Sequence, residues 1–150
     1  MNLTRQLLEL DTIALQAHAR DWRDAVRIGT DLLVGAGTVE ARYYDAIVKM
    51  TGELGAWYLL APGIAMPHAR PEEGVKQTSF ALVTLAEPVS FGDPDNDPID
   101  LLITLAAADA KTMNEEAIVE VVTLLDNEDT VRRIRAAKTR DGIRALFAEL

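Results

Sequence analysis

Two stretches of the chain, Phe80-Ala81-Leu82-Val83-Thr84-Leu85 and Ile99-Asp100-Leu101-Leu102-Ile103-Thr104-Leu105, are apolar almost without interruption. A strand with one face in water alternates apolar and polar residues, whereas a strand covered on both faces does not. These runs therefore predict two central strands, and such strands require helices above and below the sheet.

The flanking sequence supplies the helices. After Asp21, a residue suited to an N-cap, Trp22, Ala25, Val26, Gly29 and Leu33 recur at helical spacing until the stop signals Gly35 and Gly37. A second helical face, Tyr44, Ile47, Val48 and Leu54, starts near Glu40 and ends between Gly52 and Gly55. Leu3 to Leu10 reads as a short helix, and Thr12 to Ala17 as a strand whose alternation is imperfect. Trp57 to Pro62 and Gly63 to Pro71 hold too many prolines and glycines for a helix and read as strand and loop. Pro88 to Phe91 reads as an edge segment before the polar turn Gly92 to Pro98. Towards the C-terminus, Thr112 with Glu115 matches a capping box, followed by Ile118, Val121, Val122 and Leu125 on one face. Asp129 is read as the cap of a shorter helix through Val131 and Ile134, and Asp141 as the opening of a last one with Ile143, Leu146, Phe147 and Leu150. The expected fold is α/β, a three-layer α/β/α domain with a mixed central sheet covered by helices on both faces. A length of 150 residues is that of one such domain, burying about 68–70% of its unfolded surface.

Composition removes several classes of function. With 15 Lys+Arg against 24 Asp+Glu, a net charge of -9, the chain repels a polyphosphate backbone, so nucleic acid is not an expected partner. Cysteine is absent, which excludes disulfides, thiolate metal sites and cysteine nucleophiles within this chain. No apolar stretch approaches the ~20 residues of a membrane span, and Met1 to Arg5 runs straight into acidic Glu9 and Asp11. A cytoplasmic chain without membrane insertion is expected.

Of two histidines, one stands in an unusual setting. His68 follows Pro67, precedes Arg70 by two residues, and leads into the polar turn Pro71-Glu72-Glu73-Gly74. Pro67 fixes its own φ and restricts Met66 to extended geometry, so the imidazole has few directions open to it. A neutral imidazole is a nucleophile near pH 7, and in extended backbone Arg70 shares a side with His68 and offers paired donors to a phosphoryl group, unless a sharp turn at Pro71 redirects it. From these three residues alone, a loop histidine beside a cation remains the simpler reading. The loop falls just before covered central strands, and sites in α/β folds lie at such sheet ends.

The longer string Ala61-Pro62-Gly63-Ile64-Ala65-Met66-Pro67-His68-Ala69-Arg70-Pro71-Glu72-Glu73-Gly74-Val75 resembles the active loop of the EIIA domains of the phosphoenolpyruvate-dependent sugar phosphotransferase system, mannitol/fructose class. Within that class it is most similar to the ascorbate-type members. The resemblance extends through Thr78 to Leu85, Asp95 to Ile103 and Ala106 to Ala110, and back into Asp24 to Val34 and Arg42-Tyr43-Tyr44. It implies a phosphotransferase without cofactor or metal. Phospho-HPr gives its phosphoryl group to His68, by family analogy at Nε2, and His68 passes it to a cysteine of an EIIB component associated with a membrane transporter. Ascorbate or a related carbohydrate is the implied cargo, and the oligomeric state is left open.

One departure is visible. The resemblance implies a second histidine near the start of the helix after the central strand, where this chain reads Lys111-Thr112-Met113-Asn114-Glu115. Met113 or Asn114 occupies that place, and Asn114 retains a donor for a phosphoryl oxygen. This motivates an alternative reading, a regulatory protein-interaction module with an EIIA fold and weak onward transfer. His18 lacks any phosphate-like surroundings and is left out of the site. Asp93, Asp95 and Asp97 imitate the start of a calcium loop, but Pro98 stands at its sixth position and Thr104 at its twelfth, so a solvated turn is expected. Gly35 and Gly37 lack the third glycine of a phosphate fingerprint. Glu53, Glu72 and Glu73 are read as solvated, and Tyr44, Trp57 and Tyr58 as core or rim packing.

Overall fold

A computed structural model describes residues 2–150; Met1 lies outside them. The five-stranded mixed sheet has the order β1-β4-β5-β3-β2. Its strands are β1 (Ile13–Ala17), β2 (Leu59–Ala61), β3 (Ile64–Ala65), β4 (Ser79–Val89) and β5 (Ile99–Ala106). β4 and β5 are the expected central strands and pair antiparallel, β1 runs parallel to β4, β3 parallel to β5, and β2 antiparallel to β3.

The apolar runs are divided between two layers by strand alternation. Phe80, Leu82, Leu101 and Ile103 enter one layer, with α1 (Leu3–Leu10), α5 (Ile118–Leu125), α6 (Glu128–Ala136) and α7 (Arg140–Ala148). Ala81, Val83, Leu85 and Leu102 enter the other, against α2 (Trp22–Gly35) and α3 (Arg42–Leu54). The α/β/α expectation and its mixed sheet are therefore met.

Several boundaries differ from the sequence reading. Asp21 does cap α2, accepting from the Asp24 N–H. Asp129 and Asp141 do not cap their helices: Asn127 accepts from the Thr130 N–H and Thr139 from the Gly142 N–H. The two aspartates fall two residues after the caps, within the first turn, where a carboxylate complements the helix dipole. On α3 the buried residues are Tyr43, Ile47 and Thr51; Tyr44 and Val48 are half-buried and Leu54 is exposed. The expected face held neither Tyr43 nor Thr51, so it lay about one residue off the buried one. Pro88 to Val89 is no separate edge segment but the end of β4, with Val89 opposite Ile99. The imperfect alternation of β1 has a physical cause: Gln16 takes a left-handed φ of 52° where the register shifts, and its N–H bonds to the Thr84 hydroxyl.

Thr112 does not begin a helix either. Asp109 caps α4 (Ala110–Thr112) by accepting from the Thr112 N–H, and a π-helical turn, Met113–Ala117, leads into α5. Such a turn holds one more residue than an α turn and shifts the buried face behind it. On α5 the expected Val121 is buried, Ile118 and Leu125 are half-buried against the same layer, Leu124 is buried in place of Val122, and Val122 is exposed. Leu150 lies beyond the end of α7 and is exposed.

Gly29 lets α2 lie close on β5. A Cβ placed there falls 2.0 Å from Thr104 Oγ1 and 3.0 Å from Thr104 Cβ. Gly29→Ala is therefore expected to cost about 1–3 kcal/mol, the usual penalty of overpacking, seen as a lower urea midpoint. Thr104→Ala on the same background should recover part of it. Thr104 Oγ1 is buried without a hydrogen-bond partner, so its removal breaks no bond. An unchanged midpoint for Gly29→Ala would show that the helix moves aside freely.

Candidate functional site

β3 and β5 are parallel neighbours, so their carboxyl ends open on the same side of the sheet. His68 lies three residues beyond β3, and the segment from Ala107 to Asn114 follows β5. Between them is a cleft of about 210 Å³ lined by Met50, Trp57, His68, Ala69, Arg70, Pro71, Ala110, Met113 and Asn114. Three sequence candidates, His68, Arg70 and Asn114, thus share one cavity. His18 does not join them. It follows β1, which runs antiparallel to β3 and β5 through its pairing with β4, so it is exposed at the opposite end of the sheet.

His68 is only 8% exposed. Its Nδ1 lies 2.8 Å from the Met66 carbonyl oxygen. A carbonyl only accepts, so Nδ1 carries the proton and donates, leaving the free lone pair on Nε2. Trp57 packs edge-on against the ring, with centroids 4.5 Å apart. Burial holds the imidazole below its ordinary pKa, while the bond to Met66 acts weakly in the opposite sense. The neutral form, the nucleophilic one, is favoured.

That depression sets a pH dependence. The unfolded chain binds a proton on this residue near pH ~6.5, the folded chain only at lower pH. The contribution of His68 to stability is therefore complete above ~6.5, falls as the pH drops towards the depressed folded value, and levels off below it. Urea unfolding at several pH values, alongside an NMR titration of His68, should place both transitions. A folded-state midpoint at or above the ordinary histidine value would contradict the assignment.

Arg70 is exposed and extended, with φ -70° and ψ 149°. Pro71 favours this geometry in the residue before it. Among the described residues, no carboxylate lies within ion-pair distance of Arg70, so its donors are uncommitted, in contrast to Arg42, which pairs with Glu40 and Glu73. Glu53 and Glu72 are exposed. Asn114 is exposed on the π turn, beside buried Met113. The helix start is partly occupied, because the Asp109 carboxylate already accepts from the Thr112 N–H. Asp97 closes the polar turn by accepting from Ser90 Oγ and the N–H groups of Phe91 and Asp93.

Two contributors were not assigned to the site from sequence, where Trp57 was read only as packing. Trp57, 42% exposed, touches the imidazole as well as forming the rim. Tyr43, completely buried, accepts a hydrogen bond from the Ala69 N–H at 3.0 Å and donates to the Leu105 carbonyl at 2.7 Å. The spacing Tyr43, Ile47, Thr51 would have revealed its orientation had threonine been counted on the buried face.

Fold and cleft together define an α/β/α domain that presents a neutral imidazole at the carboxyl ends of two parallel strands. Residues 6–150 match the family described as phosphoenolpyruvate-dependent sugar phosphotransferase system, EIIA 2, and the chain belongs to it. The ascorbate-specific PTS system EIIA component of Shigella boydii serotype 4 (strain Sb227) is 52% identical over 143 residues, 95% of this chain and 93% of that protein. The solution structure of the mannitol-specific cryptic phosphotransferase enzyme IIA CmtB from Escherichia coli is similar with a TM-score of 0.86 and 32% identity, covering 100% of both chains. A complex of enzyme IIA mannitol with phosphorylated enzyme IIB mannitol from Escherichia coli contains a chain similar at a TM-score of 0.79 and 25% identity, covering 93% of this chain and 96% of that one. Among the described residues, no helix is long and apolar enough to cross a membrane.

Proposed function

We propose that this chain is a phosphoryl carrier that accepts a phosphoryl group from phospho-HPr on Nε2 of His68 and passes it to a cysteine of an EIIB component. The observation that carries this reading is the commitment of Nδ1 to the Met66 carbonyl, which leaves the other ring nitrogen as the nucleophile. In the first transfer the Nε2 lone pair forms the bond to phosphorus as the nitrogen–phosphorus bond of phospho-HPr breaks. The His68 ring becomes cationic, and its Nδ1–H bond to Met66 strengthens as it does so. A thiolate of EIIB then attacks phosphorus, the bond to Nε2 breaks, and the neutral tautomer returns. Neither step requires the cleft to supply a general base.

Phosphoryl transfer depends on positioning and charge stabilisation. Arg70 supplies a guanidinium for the phosphoryl oxygens, and Asn114 a side-chain amide where relatives are expected to hold a second histidine. The acceptor thiol must lie on another chain, because this one has no cysteine. Ascorbate is the proposed cargo, from the 52% identity to an ascorbate-specific component.

The test is intact-mass analysis after incubation with phosphoenolpyruvate, enzyme I and HPr, followed by addition of EIIB proteins. One acid-labile phosphoryl group, discharged faster by an ascorbate-type EIIB than by a mannitol-type one, is expected. Uptake without discharge to any EIIB would favour a regulatory module, and no uptake would sink the carrier reading.

A further inference from the structure

The register of the parallel pair predicts a bond that is not made directly. Ile64 stands opposite Leu101 and Ala65 opposite Leu102, and carrying that register beyond β3 sets His68 opposite Leu105. In a parallel ladder, the Leu105 N–H then bonds to the Pro67 carbonyl and the Ala69 N–H to the Leu105 carbonyl. The first bond is present at 3.0 Å. In place of the second, the Ala69 N–H donates to Tyr43 Oη at 3.0 Å, and Tyr43 Oη donates to the Leu105 carbonyl at 2.7 Å. A phenol hydroxyl from α3 is thus inserted into the ladder immediately after the histidine.

This hydroxyl is fitted to the task. The side chain is fully buried, and burial raises its pKa well above the ordinary tyrosine value, so it stays protonated and both accepts and donates. Its one proton serves the Leu105 carbonyl, since the alternative acceptor, Ala69 O, lies at 3.3 Å. Ala69 packs into the same layer as Tyr43, whereas Met66 packs into the opposite layer. These positions continue the alternation of Ile64 and Ala65, so Ala69 faces the layer of α3 from which Tyr43 reaches it.

We propose that Tyr43 is a positioning residue for His68, its hydroxyl spacing the chain away from β5 at Ala69 and fixing the backbone from which the imidazole and Arg70 reach the cleft. The proposal rests on the reading of His68 as the phosphoryl acceptor. Tyr43→Phe keeps the ring and deletes only the bridging oxygen, leaving a buried N–H and a buried carbonyl without their shared partner. With the imidazole less firmly aimed, kcat for acceptance from phospho-HPr should fall by roughly 10–100-fold. KM for phospho-HPr should stay unchanged, because a buried residue does not touch the donor.

Tyr58→Phe is the matched control. Tyr58 is also buried, and its hydroxyl bonds to Thr51 Oγ1 at 2.8 Å rather than to the histidine loop. It should lose stability without losing kcat. Replacing Tyr43 by 3-fluorotyrosine keeps the oxygen and should restore kcat. Imidazole ¹⁵N shifts should show the Nδ1–H tautomer in the wild type and a mixed population in Tyr43→Phe.

A folded Tyr43→Phe protein with wild-type kcat and wild-type ¹⁵N shifts would overturn the proposal. If that variant does not fold, hydrogen exchange in the wild type decides: the Ala69 amide must be as protected as those of β5, and rapid exchange there would overturn it equally. If the wild type takes up no phosphoryl group, the carrier reading fails separately. The tautomer and exchange measurements still report whether Tyr43 orients the ring.

Discussion

His68→Ala protein is expected to take up no phosphoryl group under conditions that label the wild-type chain to completion. The chain has two histidines, so the variant retains only His18. That residue is exposed beyond the carboxyl end of β1, on the end of the sheet away from the cleft, and cannot substitute by proximity. The nucleophile itself is removed, so complete loss of acid-labile label is expected, where loss of a supporting donor would only slow the reaction. His68→Gln makes the result sharper. Its amide can still donate to the Met66 carbonyl and preserve that local bond, but it offers no phosphoryl-accepting nitrogen. Both variants should unfold cooperatively in urea and lack the pH-dependent stability change assigned to the buried imidazole. Residual acid-labile label on either folded variant would mean that another residue accepts the group.

The central architecture was legible because its cause is local. Continuous apolar runs at Phe80 to Leu85 and Ile99 to Leu105 have no stable setting in a sheet unless both faces are covered, and both faces are covered. Helix ends were less legible because capping depends on which of several eligible residues has the right backbone angles. Asn127 and Thr139 are as eligible as Asp129 and Asp141, and the backbone selected the earlier pair. The π turn at Met113–Ala117 has no composition that distinguishes it from an ordinary helix.

At the cleft, what could be read was what proline dictates. Pro67 and Pro71 restrict the backbone on either side of His68 to Arg70, so two side chains in extended backbone were expected to share a side, and both line the cavity. The contribution of Tyr43 was hidden because it arises from the crossing of α3 over the sheet. The sequence Arg42-Tyr43-Tyr44 presents two tyrosines, and only tertiary packing decides which of them reaches Ala69 and Leu105. Trp57 was legible as rim packing, but its contact with the imidazole depends on the route of the chain from α3 into β2.

Arg70→Ala is expected to lower the rate of phosphoryl acceptance by roughly 10²–10³-fold, the magnitude typical of deleting a donor aimed at developing charge. The chain carries a net charge of -9, and the phosphoryl group adds further negative charge at the cleft. Arg42, whose guanidinium reaches Glu73 in the same loop region, is engaged by Glu40 and Glu73, whereas Arg70 lines the cleft without a carboxylate at ion-pair distance among the described residues. Removing it leaves the Asn114 amide and the Trp57 indole N–H as the uncharged side-chain donors lining the cleft beside His68. Arg70→Lys should recover only part of the rate, because an ammonium restores charge without the paired, planar donors of a guanidinium. Since Arg70 is exposed, neither substitution should greatly change the urea midpoint. Rapid-quench measurement of label transfer from phospho-HPr at two salt concentrations separates the contributions. Loss of charge alone would shrink as salt rises, while loss of oriented donors would persist. A wild-type rate in folded Arg70→Ala protein would remove Arg70 from the mechanism and leave stabilisation to the backbone of the His68 loop and to Asn114.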